Sequence, residues 1–175
     1  MAFNHKHLID ITEYSADDIM TVLETAVRFK EVNERRIKQV PTLKGVTVVN
    51  MFNEPSTRTR PPFEIAEKRL SANSLNFGGS STSTVKGESL VDTVETLCAY
   101  KIDMIIVRDK HAGAPRTNAD VPAAHVIDAG DGKPNHPTPA MLDTSSTWAD
   151  QGDRKGIEVG VVRAVGHTRG RGSMI

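Results

Sequence analysis

Residues 45–60 read GVTVVNMFNEPSTRTR. The first eight, Gly45 to Phe52, form a short, β-branched, apolar run, which is how a strand buried on both faces reads. Directly after Pro55 a hydroxyl- and arginine-rich run opens a segment with helical character, STRTRPPFEIAEKRL. A strand that passes through a polar loop into a helix is half of a βαβ unit, and the alternation continues outward from it. Toward the C-terminus SLNFGG is strand-like, ESLVDTVETLCAY helical, DMIIVR and HVIDAG strands, MLDTSSTWAD weakly helical and IEVGVV a last strand. Toward the N-terminus Ser15 and Asp18 have the spacing of a capping box. Ile19, Val22, Ala26 and Phe29 then repeat at helical intervals, predicting a helix to Arg36, with Pro41 closing the segment. The expected architecture is α/β, a three-layer domain with a central parallel sheet flanked by helices.

With 175 residues the chain accommodates one full domain and part of another. Lys plus Arg and Asp plus Glu both number 22, and the sequence pI is about 7.0, so no global field attracts nucleic acid or an anionic membrane. Any anion must therefore be held locally. No apolar run approaches the ~20 residues that span a bilayer. MAFNHKHLID lacks the apolar core of a signal peptide, so the expected location is cytoplasmic. The one cysteine, Cys98, excludes an internal disulfide and lies on a helical pattern, where a packed thiol is expected. His5, His7, His111, His125 and His167 have neither helical pairing nor a cysteine partner, so neither a metal site nor a cofactor is expected.

The loops after the strands carry the candidate chemistry, because open α/β sheets bind ligands outside the carboxyl ends of their strands. Ser56 is the expected N-cap of the STRTR helix, leaving the N–H groups of Thr57, Arg58 and Thr59 to face an anion. Arg58 adds a planar fork suited to phosphate oxygens, and the hydroxyls of Ser56, Thr57 and Thr59 add donors. The P-loop pattern of ordinary ATPases is absent. Arg108 ends an apolar strand, so it needs a partner or water, and a rim salt bridge is the plain alternative. Lys86 in STSTVKGES and His136 in GKPNHPTP read singly as a loop lysine and a surface histidine.

Together these segments resemble a known family. EPSTRTR, FE, KRL, STVKGESLVDT, IIVR followed by GAP, IDAGDG and HPT occur in the order found in aspartate carbamoyltransferase catalytic chains, from about His7 to the end. Ornithine carbamoyltransferases share STRTR but usually have HPCQ where this chain has HPTP, and they lack the KGE loop. The resemblance implies that residues 1–150 form a carbamoyl-phosphate-binding domain and that 151–175 start an aspartate-binding domain or form a frayed tail. It implies transfer of a carbamoyl group from carbamoyl phosphate to the amine of L-aspartate, an early step of pyrimidine synthesis. Ser56, Thr57, Arg58 and Thr59 would hold the phosphate. Arg58, Thr59, Arg108 and His136 would be the catalytic residues, with Thr59, Arg108 and His136 polarising the carbonyl. Lys86, with Thr82 or Ser83, would reach a neighbouring subunit's site in a homotrimer, binding carbamoyl phosphate there along with Arg108 and His136 and, like Arg169, contacting aspartate. The resemblance leaves open a regulatory or dihydroorotase partner chain.

Three departures carry weight. With Ser56 as cap, Pro61 and Pro62 fall at the fifth and sixth helical positions, each at a cost of ~3 kcal/mol. Pro139 stands where the family has a glutamine that bonds the carbamoyl amide, and it has no side-chain donor. The chain stops after the first strand of the second domain, and Arg163 and Ala164 replace the usual Gly-Asp pair. The alternative expectation is an inactive carbamoyltransferase-like module for binding or assembly.

Overall fold

The computed structural model describes residues 4–53, 59–77, 90–111, 113–119, 124–130 and 137–151. After a 3-10 turn at Ile11–Glu13, the elements are α1 (Ala16–Glu34), β1 (Thr47–Phe52), α2 (Arg60–Arg69), β2 (Asn73–Phe77) and α3 (Leu90–Ala99). Next come β3 (Met104–Arg108), α4 (Ala114–Ala119), β4 (His125–Asp128) and α5 (Pro137–Gln151). The expected strands and helices therefore form, apart from IEVGVV, which lies outside the described residues. Some findings differ: α1 ends at Glu34 rather than Arg36, and α2 starts later than expected. The short helix α4 had no sequence signal, and α5 begins at Pro137, inside a stretch read as loop. Proline suits that first helical position, where its fixed φ is helical and its missing N–H would have had no intrahelical partner.

The sheet is parallel throughout, in the order β2-β1-β3-β4. Alternate residues of β1 serve opposite faces. Val49 and Met51 pack with Val94 and Leu97 of α3 and with Ile105 and Val107. Val48 and Phe52 pack with Ile106 and Ala129 and receive Phe63 of α2. Helices thus cover both sides of a buried strand, giving the three layers that the apolar run of β1 requires. Each such fully buried side chain contributes ~1.5–3 kcal/mol.

The Ser15 and Asp18 capping box forms as expected, with the Ser15 hydroxyl accepting from the Asp18 N–H and the Asp18 carboxylate accepting from the Ser15 N–H. The N-terminal segment adds a feature that periodicity did not reveal. Leu8 bridges to Ile127 in parallel, its N–H donating to Val126 at 2.8 Å and its carbonyl accepting from Asp128 at 2.8 Å. That strap covers the β4 edge, which would otherwise present unpaired backbone groups. Tyr14 secures it by donating its hydroxyl to the His7 carbonyl. Burial, then the charges of Glu13 and Asp18, push the Tyr14 phenol up to about 12. Among the described residues no helix is long and apolar enough to cross a membrane.

Candidate functional site

The chain leaves β1 for β2 on one side, then crosses to β3 on the other, so the direction of winding reverses between β1 and β3. The crevice beyond their carboxyl ends is where such a sheet binds ligands. Phe52 and Arg108 are register partners at that edge. Asn53 and Asp109 follow them.

Arg108 reaches from the end of β3 to the start of α2. Its Nη1 donates to Thr59 Oγ1 at 3.2 Å and to the Ala129 carbonyl at 3.0 Å. Two residues singled out in the sequence, 49 positions apart, thus meet at the switch point. A guanidinium is charged at any physiological pH and has a planar set of donors, so this is a fixed positive group of the kind that binds an oxyanion.

The start of α2 corrects the expected helix boundary. The N-cap is Thr59 rather than Ser56, and its side chain makes no capping hydrogen bond. Its hydroxyl oxygen instead accepts from Arg108. Moving the cap by three residues places Pro61 and Pro62 at the second and third helical positions, inside the first turn, where backbone N–H groups have no intrahelical acceptor. No helical hydrogen bond is lost, and the expected double penalty disappears. The consequence is chemical: two N–H groups that a helix start usually offers to an anion are missing here.

Around Arg108 lie groups that sequence reasoning missed. Asp109 is only 5% exposed. One oxygen accepts from Asn53 Nδ2 at 2.7 Å, and the other accepts from the His111 backbone N–H at 2.8 Å and pairs with His111 Nδ1 at 2.8 Å. Burial pushes the Asp109 carboxyl up, but the hydrogen bonds from Asn53 and His111, with the charge of His111, outweigh it and hold the group below the usual carboxylate range. At the neighbouring strand end, Gly130 has φ +124°, a region that L side chains rarely adopt, and its N–H donates to Asp128 Oδ1 at 2.6 Å. HVIDAG reads as a strand, and nothing in it tells which carbonyl faces Arg108; it is that of Ala129.

Thr59 and Arg108 are thus placed together. Ser56, Thr57, Arg58, Thr82, Ser83, Lys86, His136 and Arg169 lie outside the described residues. So does the side chain of Pro139. Among the described residues no group of three or more His, Cys, Asp or Glu side chains is arranged to hold a metal ion. A wide cavity of about 660 Å³ sits at the opposite, amino end of the strands, lined by Val40, Pro41, Lys44, Lys68 and Asn73 among others. It contains none of the candidate residues.

Residues 6–148 match the family model described as aspartate/ornithine carbamoyltransferase, carbamoyl-P binding domain. The chain is 47% identical over 167 residues to the aspartate carbamoyltransferase catalytic subunit of Desulfotalea psychrophila, covering 95% of this chain and 52% of that protein. It is 49% identical over 164 residues to the corresponding subunit of Roseiflexus castenholzii, covering 94% and 52% respectively. Among solved structures, the catalytic subunit of M. jannaschii aspartate transcarbamoylase superposes with a TM-score of 0.77 at 35% identity, over 85% of this chain and 48% of that one. The Trypanosoma cruzi aspartate transcarbamoylase in complex with carbamoyl phosphate and aspartate matches with a TM-score of 0.77 at 28% identity, over 84% and 45%. The chain spans about half the length of the curated relatives it matches.

Proposed function

The chain belongs to the aspartate/ornithine carbamoyltransferase family through its carbamoyl-phosphate-binding domain, and on that premise we propose that it binds carbamoyl phosphate as the N-terminal half of an aspartate carbamoyltransferase catalytic chain. The observation that carries the reading is the Arg108 to Thr59 contact across the switch point between β1 and β3. In the complete protein the amine of L-aspartate attacks the carbonyl carbon of carbamoyl phosphate. A C–N bond forms, the bond from carbon to the phosphate oxygen breaks, the amine gives up a proton, and inorganic phosphate leaves. Negative charge grows on the carbonyl oxygen as the tetrahedral intermediate forms, and preorganised donors stabilise it. Thr59, Arg108 and His136 fill that role. Ser56, Thr57, Arg58 and Thr59 hold the phosphate, while Lys86 and Arg169 contact aspartate. A good leaving group makes positioning and charge stabilisation sufficient for this chemistry.

The same reading assigns residues 1–150 to the carbamoyl-phosphate domain and 151–175 to the start of the aspartate domain. It implies a cytoplasmic homotrimer in which the Lys86 loop completes a neighbour's site, with pyrimidine precursor synthesis as the pathway. The relatives of T. cruzi solved with carbamoyl phosphate and aspartate support these substrates. A second reading, a carbamoyltransferase-like module that binds or assembles without turnover, is favoured by the N–H groups absent at Pro61 and Pro62.

Calorimetric titration with carbamoyl phosphate tests the proposal. Saturable binding that weakens by about 30-fold or more in Arg108→Ala, as expected on losing a charged hydrogen-bonding partner worth ~2 kcal/mol or more, supports the transferase reading. Absence of binding by the folded wild-type chain would overturn it.

A further inference from the structure

The Arg108 side chain is long, and an arginine carries ~2 kcal/mol of rotamer entropy that must be lost before it can serve as a fixed donor. The Nη1 hydrogen bonds to Thr59 and to the Ala129 carbonyl hold the tip. What holds the base is the peptide unit between Arg108 and Asp109. The carbonyl of that unit accepts from the Asn53 N–H at 2.9 Å, on the β1 side, and its N–H donates to the Gly130 carbonyl at 3.1 Å, on the β4 side. The regular ladder ends here, so these two bonds stand at the frayed margin of the sheet. The Asp109 carboxylate reinforces that margin, because its bond from Asn53 Nδ2 ties the side chains of the two strand ends together. Its other oxygen gathers the first turn of the following loop through the N–H and ring of His111.

We propose that Asp109 is a positioning residue for Arg108: a buried carboxylate hub that locks the carboxyl ends of β1 and β3 and so aims the guanidinium at the anion. This rests on the carbamoyl-phosphate reading of the site. Consecutive residues of a strand point to opposite faces. Arg108 therefore goes toward Thr59 and α2, while Asp109 goes to the other side of the sheet. That placement explains how a carboxylate is tolerated one residue from a site for an anion, since it supports the arginine without standing in the ligand's path. A buried carboxylate needs its lone pairs satisfied, and all the donors that satisfy this one come from the two strand-end segments it joins.

The experiment uses the isotopically labelled chain and its Asp109→Ala and Asn53→Ala variants. The Arg108 side-chain Nε–H resonance, assigned by its loss in Arg108→Lys, reports the state of the guanidinium with no ligand present. Titration with carbamoyl phosphate reports the site. The expected result is a broadened Arg108 resonance, shifted to the position of exposed arginines, in both variants, with affinity weakened about tenfold in Asp109→Ala and in the same direction in Asn53→Ala. Asn53 is exposed, so its variant keeps the test decisive where Asp109→Ala fails to fold. An Arg108 resonance unchanged in the folded variants overturns the proposal. If the wild-type chain binds no carbamoyl phosphate, the functional reading falls, and the resonance alone decides the positioning role.

Discussion

Asp109 couples the strand ends to pH in a direction that follows from its partners. Asn53 and His111 hold the folded carboxyl below its ordinary range, so the unfolded chain takes up this proton first, near the usual ~3.9. The stabilisation is therefore fully present above about pH 4 and is lost as pH falls through the lower, folded value. Urea midpoints measured at about pH 5 and about pH 3 are expected to fall further in the wild type than in Asp109→Asn. Equal declines would show that the carboxylate is not linked to folding. At this scale legibility was uneven. Arg108 could be found because a charge closing an apolar strand demands a partner. Asp109 could not, because DKH after a strand reads as an ordinary charged loop and its partner Asn53 lies 56 residues away.

Helix α2 carries the start of the site, and a buried polar pair joins the apolar contact of Phe63 in seating it on the sheet. Glu67, 4% exposed, accepts from Asn50 Nδ2 of β1 at 3.0 Å. Asn50 Oδ1 and Glu67 Oε1 are both buried without a hydrogen-bond partner among the described residues. Two acceptors face no donor, whereas a glutamine at 67 brings an N–H₂ that can serve Asn50 Oδ1 while its carbonyl keeps the existing bond. Glu67→Gln is therefore expected to leave stability unchanged or raise it. Glu67→Ala is expected to cost ~2–3 kcal/mol by adding a cavity and an unpaired amide to the core. Denaturant unfolding of both variants checks this, and equal losses would refute it. The same helix shows why its boundary was misplaced: Ser56 has the chemistry of a cap, but two prolines in succession are tolerated only in a first turn, so the helix starts at Arg60.

Across the whole molecule, the architecture places both strand ends of the site but spans only about half of the related catalytic subunits. A polypeptide of these 175 residues is expected to form no carbamoyl-aspartate when supplied with carbamoyl phosphate and aspartate, because the greater part of the domain that grips aspartate in the proposed scheme is not within it. Product that disappears in Arg108→Ala would overturn this. The layer count and parallel sheet were written in the chain, since an apolar β-branched run such as Thr47 to Phe52 must be covered on both faces wherever it sits. The family was written there too, in separated motifs whose order survives without coordinates. Only the tertiary structure decided which strands flank the switch point and that Asn53, Asp109 and Gly130 meet around Arg108. Those outcomes depend on contacts between residues far apart in sequence, and local propensity does not encode such contacts.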